Sequence, residues 1–147
     1  MKRIKFFFAA LVCLFAVNTA CNAHDFPIST NMLPAAAKLF VQQNFPGRVI
    51  AYAKVDTDHA NTKYEVCLND GTEIEFYADG SVDDIDCHYT PVPVTVVPET
   101  IQEYVETVFP GTSIVKVDRK YHGYEVELSN DMELKFNNRF GFLGIDD

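Results

Sequence analysis

Basic residues are scarce in this chain: 12 Lys+Arg stand against 21 Asp+Glu. Three of the basic residues, Lys2, Arg3 and Lys5, crowd the first five positions, so that from residue 24 onward 9 Lys+Arg face 21 Asp+Glu, a formal charge of −12. Binding to nucleic acid or an anionic membrane needs clustered Lys and Arg to neutralise phosphates, and this balance argues against it. Catalytic signatures are missing too. Beyond the leader the chain has Ser29, Ser81, Ser113, Ser129 and four histidines, yet no Gly-x-Ser-x-Gly elbow, no His-Glu-x-x-His and no glycine-rich phosphate loop. No enzyme activity and no cofactor are expected.

Long apolar runs are absent as well. The longest, Phe6 to Val17, is twelve residues, short of the roughly 20 that span a bilayer. Preceded by Lys2, Arg3 and Lys5 and followed by the small and polar residues Asn18 to Ala23, it reads as a secretory signal peptide over residues 1–23. Cys21-Asn22-Ala23 is a small-x-small cleavage site that would start the exported chain at His24. Thr19-Ala20-Cys21 is the competing reading, the end of a lipoprotein box with Cys21 acylated. Either way the expected location is periplasmic or secreted.

Cysteine is reduced to Cys67 and Cys87 once the leader, with Cys13 and Cys21, is set aside. In an oxidising compartment the two can close a loop of about 20 residues, a disulfide worth about 3 kcal/mol; the other reading is a pair of free, buried thiols. Cys67, Cys87, His88 and His122 lack the paired spacing that holds two zinc ligands together. Asp56 to Asn61 begins like a calcium loop, but Ala60 stands where an oxygen ligand is needed and Asn61 where glycine is needed. No metal site is expected.

What is present is said twice. Phe45-Pro46-Gly47 returns as Phe109-Pro110-Gly111. Before the first, Leu33, Ala37, Phe40, Val41 and Phe45 form one helical stripe interrupted by Asn44; before the second, Val97, Ile101, Tyr104, Val105, Val108 and Phe109 form the same stripe 64 residues on. Proline fits a helix start and proline-glycine a stop and a turn. Strand-like runs follow each. Tyr64, Val66 and Leu68 alternate with Glu65, Cys67 and Asn69, and after Asn69-Asp70-Gly71 the alternation resumes with Ile74 and Phe76. Tyr124 to Leu128 repeats Tyr64 to Leu68 at an offset of 60, Leu134 and Phe136 replace Ile74 and Phe76, and Val82 with Ile85 and then Phe142 to Ile145 read as short closing strands.

The expected fold is therefore α+β: two tandem repeats, each one helix packed on a roughly four-stranded antiparallel sheet. The boundaries run 1–23 signal peptide, 24–32 N-terminal arm, 33–86 first repeat, 87–96 proline-bearing linker and 97–147 second repeat. Units of little more than 50 residues have small cores, so docking or a shared sheet is expected of them.

These residues, the Leu-Pro or Val-Pro helix start, Phe-Pro-Gly, Tyr-Glu-Val-x-Leu, a turn and a Glu-x-Phe strand, given twice after a secretion signal, resemble the PepSY-like proteins, also described as beta-lactamase-inhibitor-like. The resemblance implies an architecture like that of the beta-lactamase inhibitor protein, whose sheet grips an enzyme, and a protein that restrains peptidases or other hydrolases. It carries over no functional residue.

The candidate surface comes from the alternation itself. If Tyr64, Val66, Leu68, Ile74 and Phe76 point inward, Glu65, Cys67, Glu73, Glu75 and Tyr77 point outward, and Glu125, Glu127, Glu133 and Lys135 do so in the second copy. That acidic face is the expected docking surface for another exported protein, with a small-ligand or cation binder as the alternative. An ordinary solvated sheet face is the plain reading of the same residues.

Overall fold

A computed structural model describes residues 25–57 and 62–146. The leader, the fate of Cys21 and the centre of the 56–62 turn lie outside the described residues.

The elements run β1 (Asp25–Ile28), α1 (Ala35–Asn44), β2 (Ile50–Asp56), β3 (Lys63–Leu68), β4 (Glu73–Tyr77), β5 (Val82–Asp86), α2 (Glu99–Val108), β6 (Ile114–Lys120), β7 (Gly123–Leu128), β8 (Glu133–Asn137) and β9 (Phe142–Asp146), with short 3-10 turns at Thr30–Met32 and Val94–Val96. All nine strands form one sheet in chain order, and every neighbouring pair is antiparallel.

This corrects the expectation of two tandem helix-on-sheet units. β5, read as a closing strand, is in the middle of the sheet: Asp84, Ile85 and Asp86 pair with Asp118, Val117 and Lys116 of β6. The 87–96 segment packs along β6. Cys87 N–H donates to Val115 O at 2.9 Å and Val92 N–H to Ile114 O at 2.8 Å, while Val92 and Val97 are buried. The arm at 24–32 supplies the edge strand β1, paired with β2. The physical reason is the unpaired outer edge of a lone four-stranded unit, whose backbone groups are satisfied most directly by the next strand along.

Within the single sheet the two halves keep matched registers. Val66 opposes Ile74 as Val126 opposes Leu134, and bulges fall at Glu75/Phe76 and Lys135/Phe136. Each helix crosses between adjacent antiparallel strands, α1 from β1 to β2 and α2 from β5 to β6. Pro34 and Pro98 precede the first helical residue with extended backbone, one position earlier than expected, and no side chain caps either helix. At the other end Phe45 N–H returns to Val41 O and Phe109 N–H to Val105 O, both at 2.9 Å. Gly47 and Gly111 then take φ of 80° and 87°, a conformation that glycine adopts without a Cβ penalty.

Ala37 and Val41 on α1 with Phe45 just past its end, and Ile101 and Val105 on α2, join Val66, Leu68, Ile74, Phe76, Ile85, Val117, Val126, Leu134 and Phe136 in one apolar cluster on one side of the sheet. Phe40 meets Phe76 edge-on at 5.7 Å, and Tyr104 meets Phe136 the same way at 5.4 Å; such pairs add about 0.5–1.5 kcal/mol beyond their burial. Asn44, the break in the first stripe, has its own role: its amide donates to Phe40 O at 3.0 Å and its carbonyl accepts from the Thr95 hydroxyl at 2.8 Å. It ties α1 to the turn that precedes α2.

The expected disulfide is not formed; Cys67 and Cys87 are free thiols. Cys67 alternates with Val66 and Leu68 and so points away from the core, whereas Cys87 is buried within it. β4 also stands between β3 and the end of β5, two strand spacings of about 4.8 Å, beyond the ~7 Å that a disulfide tolerates between Cα atoms.

Candidate functional site

The helices cover one face of the sheet, and the other face is open. Period-two alternation sends every second residue of β2 to β9 to that open face, and the registers line these residues up across the strands. One row reads Lys54, Glu65, Glu75, Asp84, Asp118, Glu125, Lys135 from β2 to β8. Five consecutive carboxylates are closed at each end by a lysine. The row beside it reads Tyr52, Cys67, Glu73, Asp86, Lys116, Glu127, Glu133, Asp146.

The structure thus brings Glu65, Glu73, Glu75 and Tyr77 together with Glu125, Glu127, Glu133 and Lys135 on one surface. Lysines lace much of it. Lys54 meets Glu65 at 2.8 Å, Lys63 bridges Glu75 at 3.4 Å and Asp83, Lys120 bridges Asp118 and Glu125, and Lys135 meets Glu125 at 3.9 Å and Asp146. Glu73 and Glu127 have no lysine or arginine in ion-pair range among the described residues. The β4–β5 bulge turns Asp83 toward Lys63 and the Tyr77 hydroxyl, which donates to it. That hydrogen bond, with burial, raises the Tyr77 phenol above its ordinary range; the same partner raises Lys63.

At the centre stands Asp84. Its side chain is 18% exposed, Lys116 Nζ lies 3.7 Å from Oδ2, and Oδ1 is buried with no hydrogen-bond partner. Burial pushes its carboxyl up to about 7, helped by the charges of Asp118, Glu75 and Asp86 and opposed by Lys116. A polar depression of about 420 Å³ opens beside it, lined by Lys63, Tyr77, Asp83, Asp118 and Tyr121 among others. On the covered face, a cleft of about 360 Å³ lies between α1 and the turn that precedes α2, walled by Phe40, Val82, Val97 and Tyr124 with Arg119 at its side.

Sequence reasoning missed Asp84, Asp86, Lys116 and Asp118, the middle of the site. Their signal was present: Val82 and Ile85 flank the Asp83-Asp84 pair of a bulged strand, and Lys116 and Asp118 bracket Val117. Reading β5 as a terminal strand left no neighbour against which to place them. Among the described residues no group of three or more His, Cys, Asp or Glu is disposed to hold a metal ion. Nor is any described helix long and apolar enough to cross a membrane.

The family model described as "Putative beta-lactamase-inhibitor-like, PepSY-like" matches residues 62–144. The chain belongs to that family. Solved structures share the fold of this PepSY-like chain. A "putative periplasmic protein" of the DUF2874 family from Bacteroides vulgatus ATCC 8482 is 39% identical with a TM-score of 0.81, over 86% of this chain and 99% of that one. One from Bacteroides thetaiotaomicron, called a "putative calcium-regulated periplasmic protein", is 38% identical with a TM-score of 0.80, over 84% and 97%. A second Bacteroides vulgatus protein, described as a "putative periplasmic protein of unknown function", is 36% identical with a TM-score of 0.81, over 84% and 99%. No curated protein matches the chain.

Proposed function

We propose that this PepSY-like protein is a non-catalytic periplasmic binding protein that grips another exported protein, a hydrolase in the reading its family suggests, through the open face of its sheet. The observation that carries this is the row of five carboxylates from Glu65 to Glu125, held rigidly in register across the two halves and closed by Lys54 and Lys135. A rigid, laterally extended acidic surface with a few unpaired carboxylates suits a basic patch on a folded partner, by steering encounter and fixing orientation. The absence of nucleophile or acid-base signatures in the sequence supports a binding role over a chemical one.

Glu73→Lys with Glu127→Lys is the informative variant, because neither carboxylate holds an ion pair within the described structure. Capture from periplasmic extract at low and high salt should recover a partner with the native protein, lose it with the variant and weaken as salt rises. Identical partner sets for the two proteins would remove the case for the face. A cation-binding reading has two observations behind it, the orphan Oδ1 of Asp84 and the description of the Bacteroides thetaiotaomicron relative. Calcium titration followed by thermal unfolding separates it, since a cation bound by the folded state alone raises the midpoint.

A further inference from the structure

β5 and β9 hold matched places four strands apart. Ile85 opposes Ile74 of β4, and Ile145 opposes Leu134 of β8. Their surroundings differ sharply: Ile85 is 2% exposed and Ile145 45%, because β6 covers the far side of β5 and no described strand lies beyond β9. Beside Ile145, Leu143 is 64% exposed and Phe142 38%.

The backbone of β9 is as open as its side chains. In an antiparallel ladder a residue's N–H and C=O point to the same side, and successive residues alternate. Asn137 N–H donates to Gly141 O at 2.9 Å, so Asn137, Lys135 and Glu133 address β9, and their partners Gly144 and Asp146 address β8. Ile145 between them turns its N–H and C=O outward. β5 uses that same orientation to hold β6: Ile85 stands opposite Val117, and two residues on Cys87 N–H donates to Val115 O. The opposite edge of the sheet is protected, since β1 has only four residues and carries Pro27 within them, a residue with no N–H to offer. β9 has neither proline nor lysine.

We propose that β9 is a docking edge that accepts an extended segment of the partner protein, added to the sheet as a tenth strand. The chain supplies the template for what fits: on β5 the incoming strand places Val117 against Ile85 and Lys116 against Asp86, so the segment carries a β-branched residue opposite Ile145 and a basic residue opposite Asp146. A second copy of this chain fits poorly, since β9 has no basic residue to answer Asp146 and both copies are strongly acidic. The proposal rests on the reading of the chain as a protein-binding module and specifies how the partner is held.

The test is an amide-resolved NMR titration of the protein with a synthetic peptide of residues 113–119, Ser-Ile-Val-Lys-Val-Asp-Arg. The largest shift changes and new exchange protection should fall on Ile145 and its neighbours. Replacing the peptide lysine by glutamate should weaken binding about tenfold, the loss of about one favourable contact. Ile145→Pro, which removes the outward N–H and leaves the β8 bonds intact, should weaken it at least as much while the amides of β2 to β7 keep their positions. Should that variant not fold, Asp146→Lys paired with the glutamate peptide should restore binding. Peptide-induced shifts confined to other strands, or unchanged affinity in Ile145→Pro, would overturn the proposal. So would concentration-dependent self-association through Ile145, which assigns the edge to a second copy. Glu73→Lys with Glu127→Lys should bind the peptide normally, so failure of the open-face reading and failure of the edge proposal are told apart.

Discussion

Asp84→Asn isolates the electrostatic cost of the site. The Asp84 carboxyl titrates at about 7 in the folded protein against an ordinary value of 3.8. A carboxyl whose pKa is raised by folding holds its proton more tightly in the folded than in the unfolded chain, so stability falls as pH rises between the two values. Three units at 1.36 kcal/mol each set a ceiling of about 4 kcal/mol. The side chain retains 18% exposure and has Lys116 at 3.7 Å; solvent screening of that kind reduces the figure to about 2 kcal/mol. Asparagine keeps the shape of the protonated acid and never ionises. Urea unfolding of both proteins should therefore give matching stabilities near pH 4 and an advantage of about 2 kcal/mol to Asp84→Asn at pH 8, the gap opening between those limits. The remaining carboxylates titrate in both proteins and largely cancel. Parallel stability curves from pH 4 to 8 would refute the account of Asp84 as a carboxylate held ionised at a cost.

Gly123→Ala should destabilise by about 2–3 kcal/mol, because Gly123 has φ of 155° and a Cβ there would lie 1.8 Å from Phe136 O; a thermal midpoint equal to that of the native protein would contradict it. Thiol titration of the unfolded protein under non-reducing conditions should find both Cys67 and Cys87 free. In the folded protein Cys67 should react first, since Cys87 is buried, and adding reductant should leave the unfolding midpoint where it was.

The alternation of Tyr64, Val66 and Leu68 with Glu65 and Cys67 was enough to assign the faces of β3 and β4, because a pleat has a period of two whatever surrounds it. The apolar stripe and the Phe-Pro-Gly stops likewise placed both helices within a residue or two. Joining the halves was another matter. Nothing in Val82 to Asp86 distinguishes a strand with one neighbour from a strand with two, since the difference lies in backbone groups that every residue carries. The same ignorance hid Asp84 and Asp118, which become neighbours only when β5 meets β6. The cysteine pairing failed for a related reason: a sequence separation of twenty residues says nothing of whether two side chains leave a sheet on the same side.

Because every strand of this sheet pairs with the strand next to it along the chain, folding proceeds through short closures, most of them hairpins with turns of a few residues. Loop-closure entropy grows with the logarithm of loop length, and chains dominated by near-neighbour contacts fold faster than other all-sheet topologies of the same size. The two longest closures are those that contain α1 and α2. Pairing of β1 with β2 and of β5 with β6 must close over those helices, so by the same argument these are the costliest closures, and substitutions at Val41 or Val105, which seat the helices, should slow folding more than substitutions in the hairpin turns.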